Sequence, residues 1–181
     1  PWSTAGRCKH HHMTGCILAI DLGTGGPKVA LVDHTGHTHV WRSAPVGTTF
    51  LPEGGAEQDP REMWTAIVRA THEVLDAVAH APSIVAIAVT SQYMSTVPVA
   101  ADGTPTGPCI LWMDTRGAAH NLTLLTDESF MLFLERHGLI PLPSGNDNIA
   151  HAHVLQQFHP QAYADAVALV DSLVTNNIKT L

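Results

Sequence analysis

The stretch from Cys16 to Asp33 reads CILAIDLGTGGPKVALVD. Two short apolar runs, Cys16 to Asp21 and Lys28 to Asp33, flank a glycine-rich turn and each ends in an acid. They predict two strands. His34-Thr-Gly36 supplies the next turn, and His37 to Val46 a third strand that pairs back. Strands joined by short glycine-containing turns predict an antiparallel meander. The Pro/Gly-rich piece from Pro45 to Gly55 is expected to be a loop.

Downstream, Asp59-Pro60-Arg61-Glu62 has the form of a capping box with proline at the first helical position. Met63, Trp64, Ile67, Val68, Thr71, Val74, Leu75 and Val78 follow at helical spacing, and Pro82 is expected to stop the helix. The run Ile84 to Val89 is continuously apolar, as in a strand covered on both faces. Thr96 to Ala100, the turn at Ala101-Asp102-Gly103, and Cys109 to Trp112 predict another hairpin. Beyond Arg116 the pattern is helical: Phe130, Phe133, Leu134 and His137 share a face, and Gly138 suits a C-cap. Pro141 to Asn148 reads as a loop, Ile149 to Phe158 and Ala162 to Ala166 as helical, and Val167 to Val174 as a last strand. The order β-β-β-α-β-β-β-α-α predicts an α/β domain with a mixed sheet and added helices.

Composition narrows the class. The chain has 181 residues, 45% of them hydrophobic, enough for a core in one domain. Nine Lys and Arg against 16 Asp and Glu leave a formal charge of −7, which argues against a nucleic-acid partner. No apolar run approaches the roughly 18–20 residues of a membrane span. Three cysteines, Cys8, Cys16 and Cys109, lack metal-site spacing, which fits a reducing, cytoplasmic setting. Residues 1–12 (PWSTAGRCKHHH) are unpatterned and His-bearing, without a secretion-signal core. They read as a leader, tag or mis-start before Met13.

The sharpest local feature is Asp21-Leu22-Gly23-Thr24-Gly25-Gly26-Pro27-Lys28. Glycines let backbone N–H groups approach phosphate oxygens. The Thr24 hydroxyl and Lys28 ammonium offer further donors, and Asp21 suits a hard cation held through water. The dinucleotide fingerprint fails because Lys28 stands where a third glycine belongs. The Walker loop fails because Pro27 precedes the lysine. Two readings remain on these residues alone: a phosphate-binding β-hairpin, or an ordinary glycine-rich turn.

Three more segments fall in order behind the loop. They are Glu57-Gln58-Asp59-Pro60 with Trp64, then Ser91-Gln92, then Trp112-Met113-Asp114-Thr115-Arg116. Together the series resembles the amino-terminal part of the FGGY carbohydrate kinases, most of all xylulokinases and related pentulose kinases. The resemblance covers about Cys16 to Arg116 and weakens beyond it. It implies an actin-like or hexokinase-type (ribonuclease H-like) fold and phosphoryl transfer from ATP, with Mg²⁺, to a sugar hydroxyl. It implies that Asp21 is the metal-linked acid, that Gly23, Thr24, Gly25 and Lys28 line the phosphate, and that Gln92, Tyr93, Met94, Trp112, Asp114 and Arg116 form the sugar site or its wall. Residues 13–181 are then an incomplete amino-terminal domain, expected to be inactive alone, because the family's general base and second domain find no match before Leu181. The partner is a small sugar, with no nucleic acid or membrane and self-association left open.

Two departures stand out. Xylulokinases follow the glutamine with Met-His-Gly, whereas here Tyr93-Met94-Ser95 follows, so a sugar-bonding histidine is missing. Pro27 also removes one backbone donor from the loop. Two other classes compete. One is a non-catalytic sugar-binding or assembly module. The other is a His-rich metal-binding domain, in which His37 and His39, two apart on a strand, share one ion. Trp64 reads first as core, Trp112 equally as core or pocket wall, and Cys16 and Cys109 as buried, inert thiols.

Overall fold

The computed structural model describes residues 15–79, 83–138 and 140–172. The leader 1–12, Pro82, residues 173–174 of the expected last strand and the closing segment lie outside them. The glycine stretch forms strands β1 (Cys16–Gly23) and β2 (Gly26–Val32), paired antiparallel in the register Ala19↔Ala30 and Gly23↔Gly26. Thr24 and Gly25 are therefore a two-residue turn, the tightest connection a hairpin allows. Strand β3 (Thr38–Ser43) pairs with β2, completing the predicted meander.

The stretch expected as a loop before the helix is more ordered than its composition suggests. It contains β4 (Thr49–Leu51), a 3₁₀ turn at Pro52–Gly54, and the start of β5 (Gly55–Gln58). Pairing of Phe50 with Ala56 makes strands here, and that contact is invisible to local propensity. Helix α1 (Pro60–Asp76) follows, and Asp59 caps it by accepting from the Arg61 N–H at 2.8 Å. The other half of the expected capping box is not made. The Glu62 carboxylate instead accepts from the Gly47 N–H at 3.1 Å, tying the preceding loop to the helix.

Strand β6 (Ile84–Ser91) runs parallel to β1, so the first sheet has the order β3-β2-β1-β6. The second sheet is antiparallel throughout, in the order β4-β5-β8-β7-β9, with β7 (Thr96–Val99), β8 (Cys109–Ile110) and β9 (Ala168–Asp171). The helices after β8 are α2 (Ala118–Leu124), α3 (Asp127–His137), α4 (Asn148–Phe158) and α5 (Pro160–Asp165). Thr126 caps α3, and Gly138, at φ 67°, closes it with the Leu134 carbonyl, as expected.

Alternation decides what is buried. Leu18, Leu22, Val29 and Leu31 face Met63, Ala66, Ile67, Ala70 and Val74 of α1 in one core, with Trp64 packed at its side. A smaller cluster joins Ile110 to Val154 and Leu155 of α4. Cys16 and Cys109 are buried free thiols, and burial raises the pKa of both. Strand β6 corrects one expectation. It is a strand, but it is not covered on both faces: Val85 is 65% and Ile87 57% exposed among the described residues. Continuous apolarity marks a strand without saying what packs on it.

Gly26 is held at φ 120°, and a Cβ there would lie 2.0 Å from the Ala44 carbonyl oxygen. Gly25 has open space at the same position. Gly26→Ala is therefore expected to cost about 2–4 kcal/mol in urea unfolding, while Gly25→Ala costs under about 1 kcal/mol. A second prediction concerns His151, a fully buried residue of α4 whose pKa burial lowers to about 4. The unfolded chain then holds more protons between that value and about 6.5. Stability should be full above about pH 6.5 and fall as pH drops toward 4, and His151→Gln should flatten that slope in pH-dependent unfolding.

Candidate functional site

The turn Thr24-Gly25 and the end of β6 lie at the same end of the first sheet. Parallel pairing sets Leu22 opposite Ser91, and the Gln92 N–H donates to the Leu22 carbonyl at 2.9 Å. Between them opens a pocket of about 360 Å³. Asp21, Gly23 and Thr24 form its hairpin side. Gln92, Tyr93 and Met94 form the opposite side, and Trp112 closes a third. Ser91, Leu142 and Asn146 complete the lining; Ser91 belongs to a family-like segment of the sequence, while Leu142 and Asn146 lie in the predicted loop and carry no sequence signal for a site. Loop geometry, rather than a motif, brings Leu142 and Asn146 here.

Asp21 lies opposite Lys28 across the hairpin, and their charges are 3.4 Å apart with both side chains half exposed or more. Lys28 thus stands beside Asp21, the one carboxylate lining the pocket among the described residues, rather than in the lining. Neither Gly23 nor Gly25 is needed for packing, since a Cβ at either has room inside the chain. That differs from Gly26, whose glycine the fold itself requires. Tyr93 is 70% exposed. Met94 takes a left-handed φ of 51°, a strained choice for a residue with a side chain.

A hydrogen-bond network ties the walls together. Thr24 Oγ1 donates to Gln92 Oε1 at 2.9 Å and accepts from Trp112 Nε1 at 3.0 Å. Gln92 Nε2 donates to Gln58 Oε1 at 3.3 Å, and Gln58 Nε2 donates to the Thr24 carbonyl at 2.7 Å and to Thr48 Oγ1 at 3.0 Å. The sequence flagged Gln58 only as part of a motif, and its place beneath the pocket floor comes from β5.

Asp114 and Arg116 stand behind the pocket, not in it. Asp114 is fully buried, and the Arg116 side chain is 3% exposed. Arg116 grips Asp114 through Nε and Nη2 and reaches Glu57 Oε1 at 2.6 Å. Glu57 also bonds His159, and the guanidinium lies over the Phe158 ring, 4.9 Å from its centre. Asp114 further accepts from the Ala56 N–H at 2.9 Å. Burial alone would lower the Arg116 pKa, but the bonds to Asp114 and Glu57 outweigh it and raise it. Both Asp114 oxygens are committed inside the chain, and neither Asp114 nor Arg116 lines the pocket. They fix the strand end that carries Trp112. The rival metal-binding reading rests on His37 and His39 at the third strand. His37 and His39 meet edge to face at 5.0 Å, and His39 Nε2 bonds Asp33 at 3.0 Å. Among the described residues no group of three or more His, Cys, Asp or Glu is arranged to hold a metal. Arg116→Met would leave two buried carboxylates without their cation. It should cost about 3–5 kcal/mol in urea unfolding.

Comparison with known proteins matches this architecture. Residues 16–170 fit the FGGY family of carbohydrate kinases, N-terminal domain. A glycerol kinase from Gloeobacter violaceus is 34% identical over 59% of this chain and 21% of its own length. A xylulose kinase from Streptomyces rubiginosus is 29% identical over 71% of this chain and 26% of its own. The crystal structure of xylulose kinase from Rhodospirillum rubrum superposes with a TM-score of 0.78 at 21% identity, covering 91% of this chain and 34% of that one. The chain thus spans about a quarter of the length of the curated relatives it matches. With the hairpin pocket, the mixed actin-like fold and a family match over most of the chain, the chain belongs to the FGGY family of carbohydrate kinases, in the region of their N-terminal domain.

Proposed function

We propose that this chain supplies the phosphate hairpin and sugar wall of an ATP-dependent kinase that phosphorylates a sugar hydroxyl, a pentulose such as xylulose. The observation that supports the reading is the single pocket shared by Asp21, Gly23 and Thr24 of the hairpin, Gln92–Met94 and Trp112. Phosphoryl transfer needs positioning and charge neutralisation more than covalent chemistry. The hairpin N–H groups and Lys28 would meet the phosphates. Gln92 would bond sugar hydroxyls, and the faces of Tyr93 and Trp112 would cover the carbon skeleton. The half-exposed Asp21 carboxylate is a hard oxygen donor opening on the pocket, so it fits a Mg²⁺ ion held largely through water. Bound there, Mg²⁺ would offset the charge of the transferring phosphate. A three-carbon polyol is the second reading, favoured by the higher identity to a glycerol kinase and by the lack of the xylulokinase histidine after Gln92.

Within this reading residues 13–181 belong to the amino-terminal domain of a kinase that works in the cytoplasm. Asp21 is the only carboxylate lining the pocket among the described residues, and it sits on the phosphate side. Among the described residues no second carboxylate lines the pocket to take the acceptor's proton, a contribution of roughly 10²–10⁴ in rate. The 181-residue chain alone should therefore give no ATP turnover in a coupled assay with D-xylulose, glycerol and related polyols. Turnover that disappears in Asp21→Ala would overturn that expectation. Calorimetry should give weak sugar binding and little nucleotide binding. Tight nucleotide binding without turnover would favour a non-catalytic module instead.

A further inference from the structure

The bonds around Thr24 form a ring with only one consistent direction. The Thr24 carbonyl can only accept, so the Gln58 amide must turn its nitrogen toward it, at 2.7 Å. That leaves Gln58 Oε1 facing Gln92, which must answer with Nε2, at 3.3 Å. Gln92 Oε1 then faces Thr24 Oγ1, whose one proton is used to reach it, at 2.9 Å. The Trp112 indole N–H can only donate, and it takes a lone pair of the same hydroxyl at 3.0 Å. Gln58 is 3% exposed, and water does not compete for its amide. Turning that amide over would set its oxygen against the Thr24 carbonyl.

We infer that Gln58 is a positioning residue for this pocket: by fixing the direction of the ring it orients the Gln92 amide and makes Thr24 offer the pocket a lone pair instead of a proton. This rests on the proposed sugar and phosphate roles of the pocket walls. Its consequence is specific. As long as the ring is closed, a group meeting Thr24 Oγ1 must be a donor, such as a sugar hydroxyl or a metal-bound water. A bare phosphate oxygen is not received there. A sugar hydroxyl that donates to Gln92 Oε1 would free the Thr24 proton, so the sugar end and the phosphate end of the pocket are linked through one hydrogen. Gln58 touches neither ligand and acts through Gln92 and Thr24.

The test uses the full chain and reads Trp112, which Gln58 does not bond. The indole N–H resonance of Trp112 is identified by its loss in Trp112→Phe. Gln58→Glu sets a carboxylate oxygen against the Thr24 carbonyl, and Gln58→Met removes both the amide donor and its acceptor at similar volume. In both, the Trp112 indole N–H should shift and exchange with solvent about tenfold faster. Thr48→Val removes the other acceptor of the same amide and should leave Trp112 unchanged, which separates positioning from general loosening. If Gln58→Glu fails to fold, Gln58→Met carries the test. An unmoved Trp112 signal in a folded Gln58→Met chain overturns the inference, as does an equal shift in Thr48→Val. D-Xylulose affinity, titrated in parallel, should fall about tenfold in the Gln58 variants. A wild-type chain that binds neither D-xylulose nor glycerol sinks the proposed function, while the Trp112 signal still decides the role of Gln58.

Discussion

Parallel pairing of β1 with β6 is the constraint on which the rest depends. It sets Leu22 beside Ser91 and lets the Gln92 N–H reach the Leu22 carbonyl. Thr24 and Gln92, 68 positions apart in the chain, then meet as hydrogen-bond partners. In α/β architectures ligands tend to bind beyond the carboxyl ends of parallel strands. Here one such end is the tip of a two-residue hairpin turn and the other runs straight into Gln92-Tyr93-Met94. The pocket is the space between them. Slipping the β1–β6 register by one residue would turn Leu18 and Leu22 out of the core, so core burial and pocket geometry are held by the same pairing.

The second sheet brings the third wall. Trp112 follows β8, and the chain just beyond it is held by a buried group of charges. Arg116 joins Asp114 and Glu57, and His159 completes the group from the end of α4. A buried ion pair is weak evidence for stability, because desolvation offsets much of the attraction. What it supplies here is geometry: Asp114 accepts from the Ala56 N–H of β5, and Gln58 of the same strand underlies Thr24. One short strand thus links the charge cluster to the hairpin turn. The strain at Met94, with φ 51°, lies where the pocket wall leaves β6, in keeping with the tendency of strained backbone to gather at functional sites.

Much of the first sheet was legible in residues 16–33. Two short apolar runs, the glycine turn between them and an acid at each strand end are local facts, and local sterics decide a tight hairpin. Helix α1 was equally legible from Asp59-Pro60 and its apolar spacing, although Glu62 bonds Gly47 and not its own cap. Beta strands in the Pro45–Gly55 segment were not legible, because pairing between Phe50 and Ala56 creates them. Nor was the exposure of β6, since an apolar run does not record what covers it.

The sequence by itself marked candidates for the site's two ends: Asp21 to Lys28 for a phosphate-binding hairpin, from residue chemistry, and Gln92 to Met94 with Trp112 for a sugar wall, from the family resemblance. Only the tertiary structure decided that Asp114 and Arg116 stand behind the wall, that Leu142 and Asn146 join it, and that Gln58 directs the hydrogen bonds beneath it. The reason is physical. Burial and hydrogen-bond direction depend on which strands meet across space, and that information appears only when β5, β6 and β8 are brought to the same pocket.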